Sequence, residues 1–146
     1  MKEGIRNVII TTLSFCFLSC TMMKKGSTPF IVDSQNLLSK KFDIQLPEPF
    51  LFQKSNYEEG VVYCYTFPNG SYVIVFQGSL MQFPIDNYTS QKQVIQGRKK
   101  INTGKINNRF WRKDIFDDVR IYYDNVPGEK KKIFDKILDT IKFEQL

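Results

Sequence analysis

Residues 61–67 (VVYCYTF) and 72–77 (YVIVFQ) are two β-branched and aromatic runs separated by Pro68-Asn69-Gly70-Ser71. Asn-Gly places side by side two residues that tolerate positive φ, the demand of a tight type I′ turn, so the segment predicts a β-hairpin. The period-two alternation puts Tyr63, Tyr65 and Phe67 on one face of its first strand. Val62, Cys64 and Thr66 fall on the other face. A chain built around such a hairpin must carry an antiparallel sheet.

The rest of the pattern is fitted to that sheet. Residues 42–46 alternate apolar and polar and stop at Pro47-Glu48-Pro49, which reads as a strand. Residues 83–87 carry Pro84 and read as loop, and residues 90–97 predict a short helix. Residues 109–116 and 119–123 read as two further strands turning at Asp117-Asp118, with Val119, Ile121 and Tyr123 on one side. After Asn125-Val126-Pro127-Gly128, residues 129–141 carry Ile133, Phe134, Ile137, Leu138 and Ile141 on one helical stripe. Lys131, Lys132, Asp135, Lys136 and Asp139 occupy the remaining surface, the pattern of a helix with one core face. Pro127 and Glu129 suit its start. The expected class is α+β, an antiparallel sheet of about five strands with a C-terminal amphipathic helix packed across one face.

Composition narrows the chemistry. At 146 residues the chain suits one ordinary domain, and 14% aromatic residues argue against disorder. It contains no histidine. That removes the usual general base, the usual zinc ligand and every Ser-His or Cys-His nucleophile.

The first twenty residues read as an address. Lys2 and Arg6 precede an apolar run of eleven residues, 8–18. As a helix it would span roughly 16 Å, about half of a bilayer's hydrocarbon core, which is the size of a signal peptide and too short for a stable anchor. Phe17-Leu18-Ser19-Cys20 then resembles the lipobox of bacterial lipoproteins. The family usually has Leu three positions before its cysteine and a small residue two before; Phe17 and Leu18 stand there instead. The resemblance implies that the Cys20 thiol receives a diacylglyceryl group, that the signal is cut before it, and that the new amino terminus is acylated. Thr21 follows, not the aspartate that often retains such proteins at an inner membrane, so the resemblance favours the outer membrane of the cell envelope. The competing readings are a plain secretory signal with Cys20 incidental, and an uncleaved helix.

The implied organisation is a signal peptide over 1–19, the lipidated cysteine and a tether over 20–36, and one α+β domain over 37–146. Lys24 and Lys25 in the tether could meet anionic head groups. Of three cysteines, Cys16 leaves with the signal and Cys20 takes the lipid. Cys64 is left without a disulfide partner and is expected to be a buried, inert thiol.

A second resemblance rests on "KFDIQLPEPF", "YEEGVVYCYTFPNGSYVIVF", "FWRKD" and "VRIYYDNVPGEKKKIFDKILDTIKF". The order of an early strand ending in Leu-Pro, a central aromatic hairpin and a last strand followed by an amphipathic helix is similar to small envelope domains of the PsbP/Mog1 type. That fold hosts binding and assembly factors more than enzymes.

No catalytic constellation, cofactor motif or metal spacing is visible. Gly104-Lys105 fails as a phosphate loop, because Gly97 stands seven residues before Gly104 instead of five and Ile106 replaces the magnesium-holding Ser or Thr. The adjacent pairs Glu58-Glu59 and Asp117-Asp118 cannot place two acids across a substrate. A pair assembled in space stays open.

The feature above background is basic. Residues 87–113 contain no acid and eight cations, with Phe110 and Trp111 among them. Arg98, Lys99, Lys100, Lys105, Arg109, Trp111, Arg112 and Lys113 form the candidate contact surface, fitted to anionic lipid or an acidic envelope protein. The envelope address argues against nucleic acid. The bland alternative is a solvated Lys-rich loop followed by a strand whose Trp111 is core. The expected function is a lipid-anchored, non-enzymatic envelope protein that binds a partner or supports an assembly. Alternatives are a small hydrolase using spatially paired carboxylates and an immunity-type inhibitor of a toxin.

Overall fold

In the computed structural model, which describes residues 29–78 and 81–146, the expected hairpin is formed by β4 (Gly60–Thr66) and β5 (Tyr72–Gln77). Its turn differs from a type I′ turn. Gly70 N–H donates to Phe67 O at 2.9 Å, which puts Pro68 and Asn69 at the centre, and Gly70 alone of the three takes positive φ. Pro68 causes this, because its ring fixes φ near −65° and suits the first central position of an ordinary turn. The signal peptide, the lipobox-like cysteine Cys20 and tether residues 21–28 lie outside the described residues.

Eight more strands complete the β structure: β1 (Phe30–Asn36), β2 (Lys40–Pro47), β3 (Leu51–Tyr57), β6 (Lys92–Gln96), β7 (Lys99–Ile106), β8 (Arg109–Phe116), β9 (Val119–Pro127) and β10 (Lys142–Gln145). The one α-helix among the described residues is α1 (Lys131–Thr140), entered through a 3₁₀ turn at Gly128–Lys130. The ten strands form two antiparallel sheets, β3-β4-β5-β9-β8-β7-β6 and β1-β2-β10. The described residues are mostly antiparallel sheet with one C-terminal helix, and the expectation of about five strands in one sheet is corrected.

The additional strands lack the signal that identifies a half-buried one. β3 (LFQKSNY) is an edge strand with almost every side chain exposed, so no face of it needs to be apolar. β6 (KQVIQ) is the opposite edge, and it replaces the helix expected over 90–97. β-Branched Val94 and Ile95 favour an extended backbone, and Gly97 at φ 57° turns the chain straight back onto β7. Residues 30–36, read as the end of the tether, are β1, hydrogen-bonded along β2.

Both faces of the large sheet are covered. Tyr63, Tyr65, Val73, Val75, Ile121 and Tyr123 pack against Phe42, Ile44 and Leu46 of β2 and against Phe134, Ile137 and Leu138 of α1. On the reverse face Val62, Ile74, Phe76, Trp111 and Tyr122 pack against Ile85, with Phe83 and Tyr88 at the margin. Those last three belong to the connection from β5 to β6, which crosses from the centre of the sheet to its far edge and includes a 3₁₀ turn at Pro84–Asn87. The alternation assigned to residues 62–67 and 119–123 matches this division. No helix among the described residues is long and apolar enough to cross a membrane.

Candidate functional site

β8 sorts the basic stretch onto two faces. Arg112, Asp114 and Phe116 pair with Tyr123, Ile121 and Val119 and share the helix face; Trp111, Lys113 and Ile115 point the other way. α1 packs chiefly on β2, β9 and β8. A groove of about 430 Å³ results between α1 and the outer strands, with Arg112, Lys92, Thr103, Lys131, Asp135 and Asp139 among its lining.

Arg112 is its floor. Arg112 is 5% exposed, and its guanidinium forks onto Asp114 through Nε (2.7 Å) and Nη2 (2.8 Å). Nη2 also donates to Asp139 Oδ1 at 2.7 Å, and Nη1 lies 3.6 Å from Asp135 Oδ1. Asp114, 1% exposed, takes a further ion pair from Lys99 at 2.7 Å. Lys131 Nζ and Tyr123 Oη donate to Asp135 at 2.5 and 2.8 Å. Burial alone would ease the proton off Arg112, but hydrogen bonds and charge from Asp114 and Asp139 outweigh it and raise its pKa further. Burial pushes Tyr123 up, and the hydrogen bond to Asp135 adds to that. Asp135 and Asp139 come from one helix, a turn apart, and both are tied to Arg112. They are not a pair of acids from different strands facing a substrate.

The acid-free stretch is thus interleaved with acids from elsewhere. Arg98 meets Asp117 at 2.6 Å, Lys99 meets Asp114, and Lys113 meets Asp86 at 3.0 Å. Trp111 is 2% exposed and packs edge-on against Tyr88, so it is core, as the bland reading had it. Lys92, Lys100, Lys105 and Arg109 have no carboxylate partner among the described residues. Lys105 lies over the Phe110 ring at 5.3 Å. All four sit on β6, β7 and the first residue of β8, toward the free edge of the large sheet. The structure therefore places Lys100, Lys105 and Arg109 at an accessible edge, and takes Trp111 and Arg112 into the interior.

Two further clusters were not legible in the sequence. Asp86 accepts from Phe83 N–H (2.8 Å) and Lys113, with Arg120 at 3.7 Å. Burial would raise its carboxyl, but these donors and charges prevail and hold it below the ordinary value. Asp124, displaced by a register shift in the β8–β9 ladder opposite Trp111, accepts from Tyr72 Oη (2.8 Å) and Tyr88 Oη (3.0 Å). The i, i+4 spacing of Asp135 and Asp139 signals a shared helix face, but nothing local signals their partner on β8.

Cys64 is half-buried, less enclosed than expected, with its sulfur 3.7 Å from Thr66 Oγ1. Gly104 also finds its reason: a Cβ there would stand 2.6 Å from the Trp111 indole. Among the described residues no group of three or more potential metal ligands converges. No family model, no curated protein and no solved structure matches this chain.

Proposed function

We propose that the protein is a lipid-anchored component of the cell envelope, held by lipid on Cys20, that binds a partner or supports an assembly through the cationic edge of its large sheet. The observation that carries this is a set of cations on the outer strands of the large sheet: among the described residues Lys92, Lys100, Lys105 and Arg109 pair with no acid, while Arg98, Lys99, Arg112 and Lys113 each pair with one. A patch that retains free cations beside the exposed Ile95 fits an acidic protein surface, since charges at a rim steer association. Binding is the role that the PsbP/Mog1-type resemblance suggests. An outer-membrane location belongs to the same reading and rests on Thr21 after Cys20.

The test is charge reversal at the edge. Lys100→Glu combined with Lys105→Glu should reduce co-purification of envelope proteins with the anchored chain by tenfold or more, while the fold stays intact. Unchanged capture would remove this surface from the proposal.

A further inference from the structure

At the end of the large sheet opposite the cationic edge, the linker from β2 to β3 and the β4–β5 turn enclose two shallow apolar depressions. They measure about 210 and 170 Å³ and share Pro49, Phe67 and Pro68. Leu51, 76% exposed, lines one of them. Pro47 lines the other and pairs across the small sheet with Phe30, which is also exposed. Phe52 on β3 and Val32 on β1 are also exposed.

Three observations point to one occupant. The chain enters the described domain at this corner: Pro29 O accepts from Glu48 N–H at 3.2 Å, and Glu48 lines the first depression. The nine residues from Cys20 to Thr28 reach at most about 30 Å when fully extended. Lys130 lines the same depression and Lys136 stands over the Phe30 ring at 5.3 Å, so two cations frame apolar side chains, with Glu48 as the acid among them. Exposed apolar residues bordered by lysine are the composition of a surface that sits at a bilayer interface, with apolar groups among the acyl chains and ammonium groups at the phosphates.

We infer that this corner is the face with which the anchored domain rests on an anionic lipid bilayer. The inference rests on the reading of Cys20 as lipidated and deepens it, because it orients the molecule. The β3 and β6 edges are separated by the width of seven strands, about 29 Å at ~4.8 Å between neighbours. With the β3 edge on the lipid, Ile95 on β6 stands at the far edge of the sheet.

The experiment uses the full chain with its anchor, reconstituted in vesicles of equimolar phosphatidylcholine and phosphatidylglycerol whose acyl chains are brominated. Leu51→Trp and Ile95→Trp each add one indole to the buried Trp111. The added emission at position 51 should be quenched at least twofold, and that at position 95 should be unaffected. Lys130→Glu with Lys136→Glu should reduce the quenching at position 51 in these vesicles, and leave it unchanged in vesicles of phosphatidylcholine alone. Equal quenching at 51 and 95, or none at 51, overturns the orientation. Incorporation of labelled fatty acid, abolished by Cys20→Ser, is read separately on the same preparations; its absence in the parent chain overturns the anchor and the orientation together.

Discussion

Arg112 and Asp114 stand two residues apart on β8, and for that reason they share a face and close a two-bond ion pair beneath α1. Such a pair is nearly neutral when replaced as a whole by apolar residues and costly when broken. Arg112→Leu leaves Asp114 buried with Lys99 alone and should lower unfolding stability by about 3–5 kcal/mol. Arg112→Leu with Asp114→Leu should recover most of the loss. Urea unfolding of the parent, Arg112→Leu, Asp114→Leu and the double variant checks this, and simple additivity of the two changes would contradict it.

Gly104 and Trp111 face each other across the β7–β8 ladder. A methyl group at Gly104 would press on the indole at 2.6 Å, so Gly104→Ala should cost about 1–3 kcal/mol through overpacking. The single tryptophan reports the strain as a changed emission spectrum. With Trp111→Leu already present, the added cost of Gly104→Ala should largely vanish, as coupled neighbours require. An equal cost in both backgrounds would remove steric contact as the cause.

Acid should act partly through Asp86. Its folded pKa lies below the ordinary value of 3.8, because the Phe83 N–H, Lys113 and Arg120 together outweigh burial. The stability it contributes is present above about pH 3.8 and is lost as pH falls through its lower folded value. Asp86→Asn should therefore flatten the acid limb of stability against pH, measured by thermal unfolding. An unaltered limb would show that the site is not linked to folding.

Base should act through buried phenols. Burial raises Tyr65 and Tyr72, helped by hydrogen bonds to Asp33 and Asp124, and burial raises Tyr122 with charge from Tyr72. A raised folded pKa means that stability is complete below the unfolded value of about 10 and declines as pH climbs through the folded values. Phenolate absorbance from these residues should appear together with loss of β-sheet circular dichroism. Their ionisation well before unfolding would contradict the burial described.

Lipidation gives the sharpest envelope test. Cys20→Ala should abolish incorporation of labelled fatty acid and move the protein from the membrane fraction to the soluble one. Identical fractionation of variant and parent would reject the anchor.

How far the sequence reaches can be seen in particular residues. Period-two alternation put Tyr63, Tyr65 and Phe67 on one face of their strand and Val119, Ile121 and Tyr123 on one side of theirs, because a half-buried strand needs apolar groups at every second position. The helical stripe of Phe134, Ile137 and Leu138 was legible for the same reason at another period. β3 and β6 were not, because edge strands are held by backbone ladders that any side chain permits, and exposed positions carry no pattern. The acid-free run from 87 to 113 was real as sequence, yet Asp86, Asp114, Asp117 and Asp139 neutralise half its cations in space. Alternation, amphipathicity and local turn chemistry are near-neighbour properties and belong to the sequence by itself. Which charge is buried, which is paired and which stays exposed depends on segments far apart in the chain, and only the tertiary structure decides it.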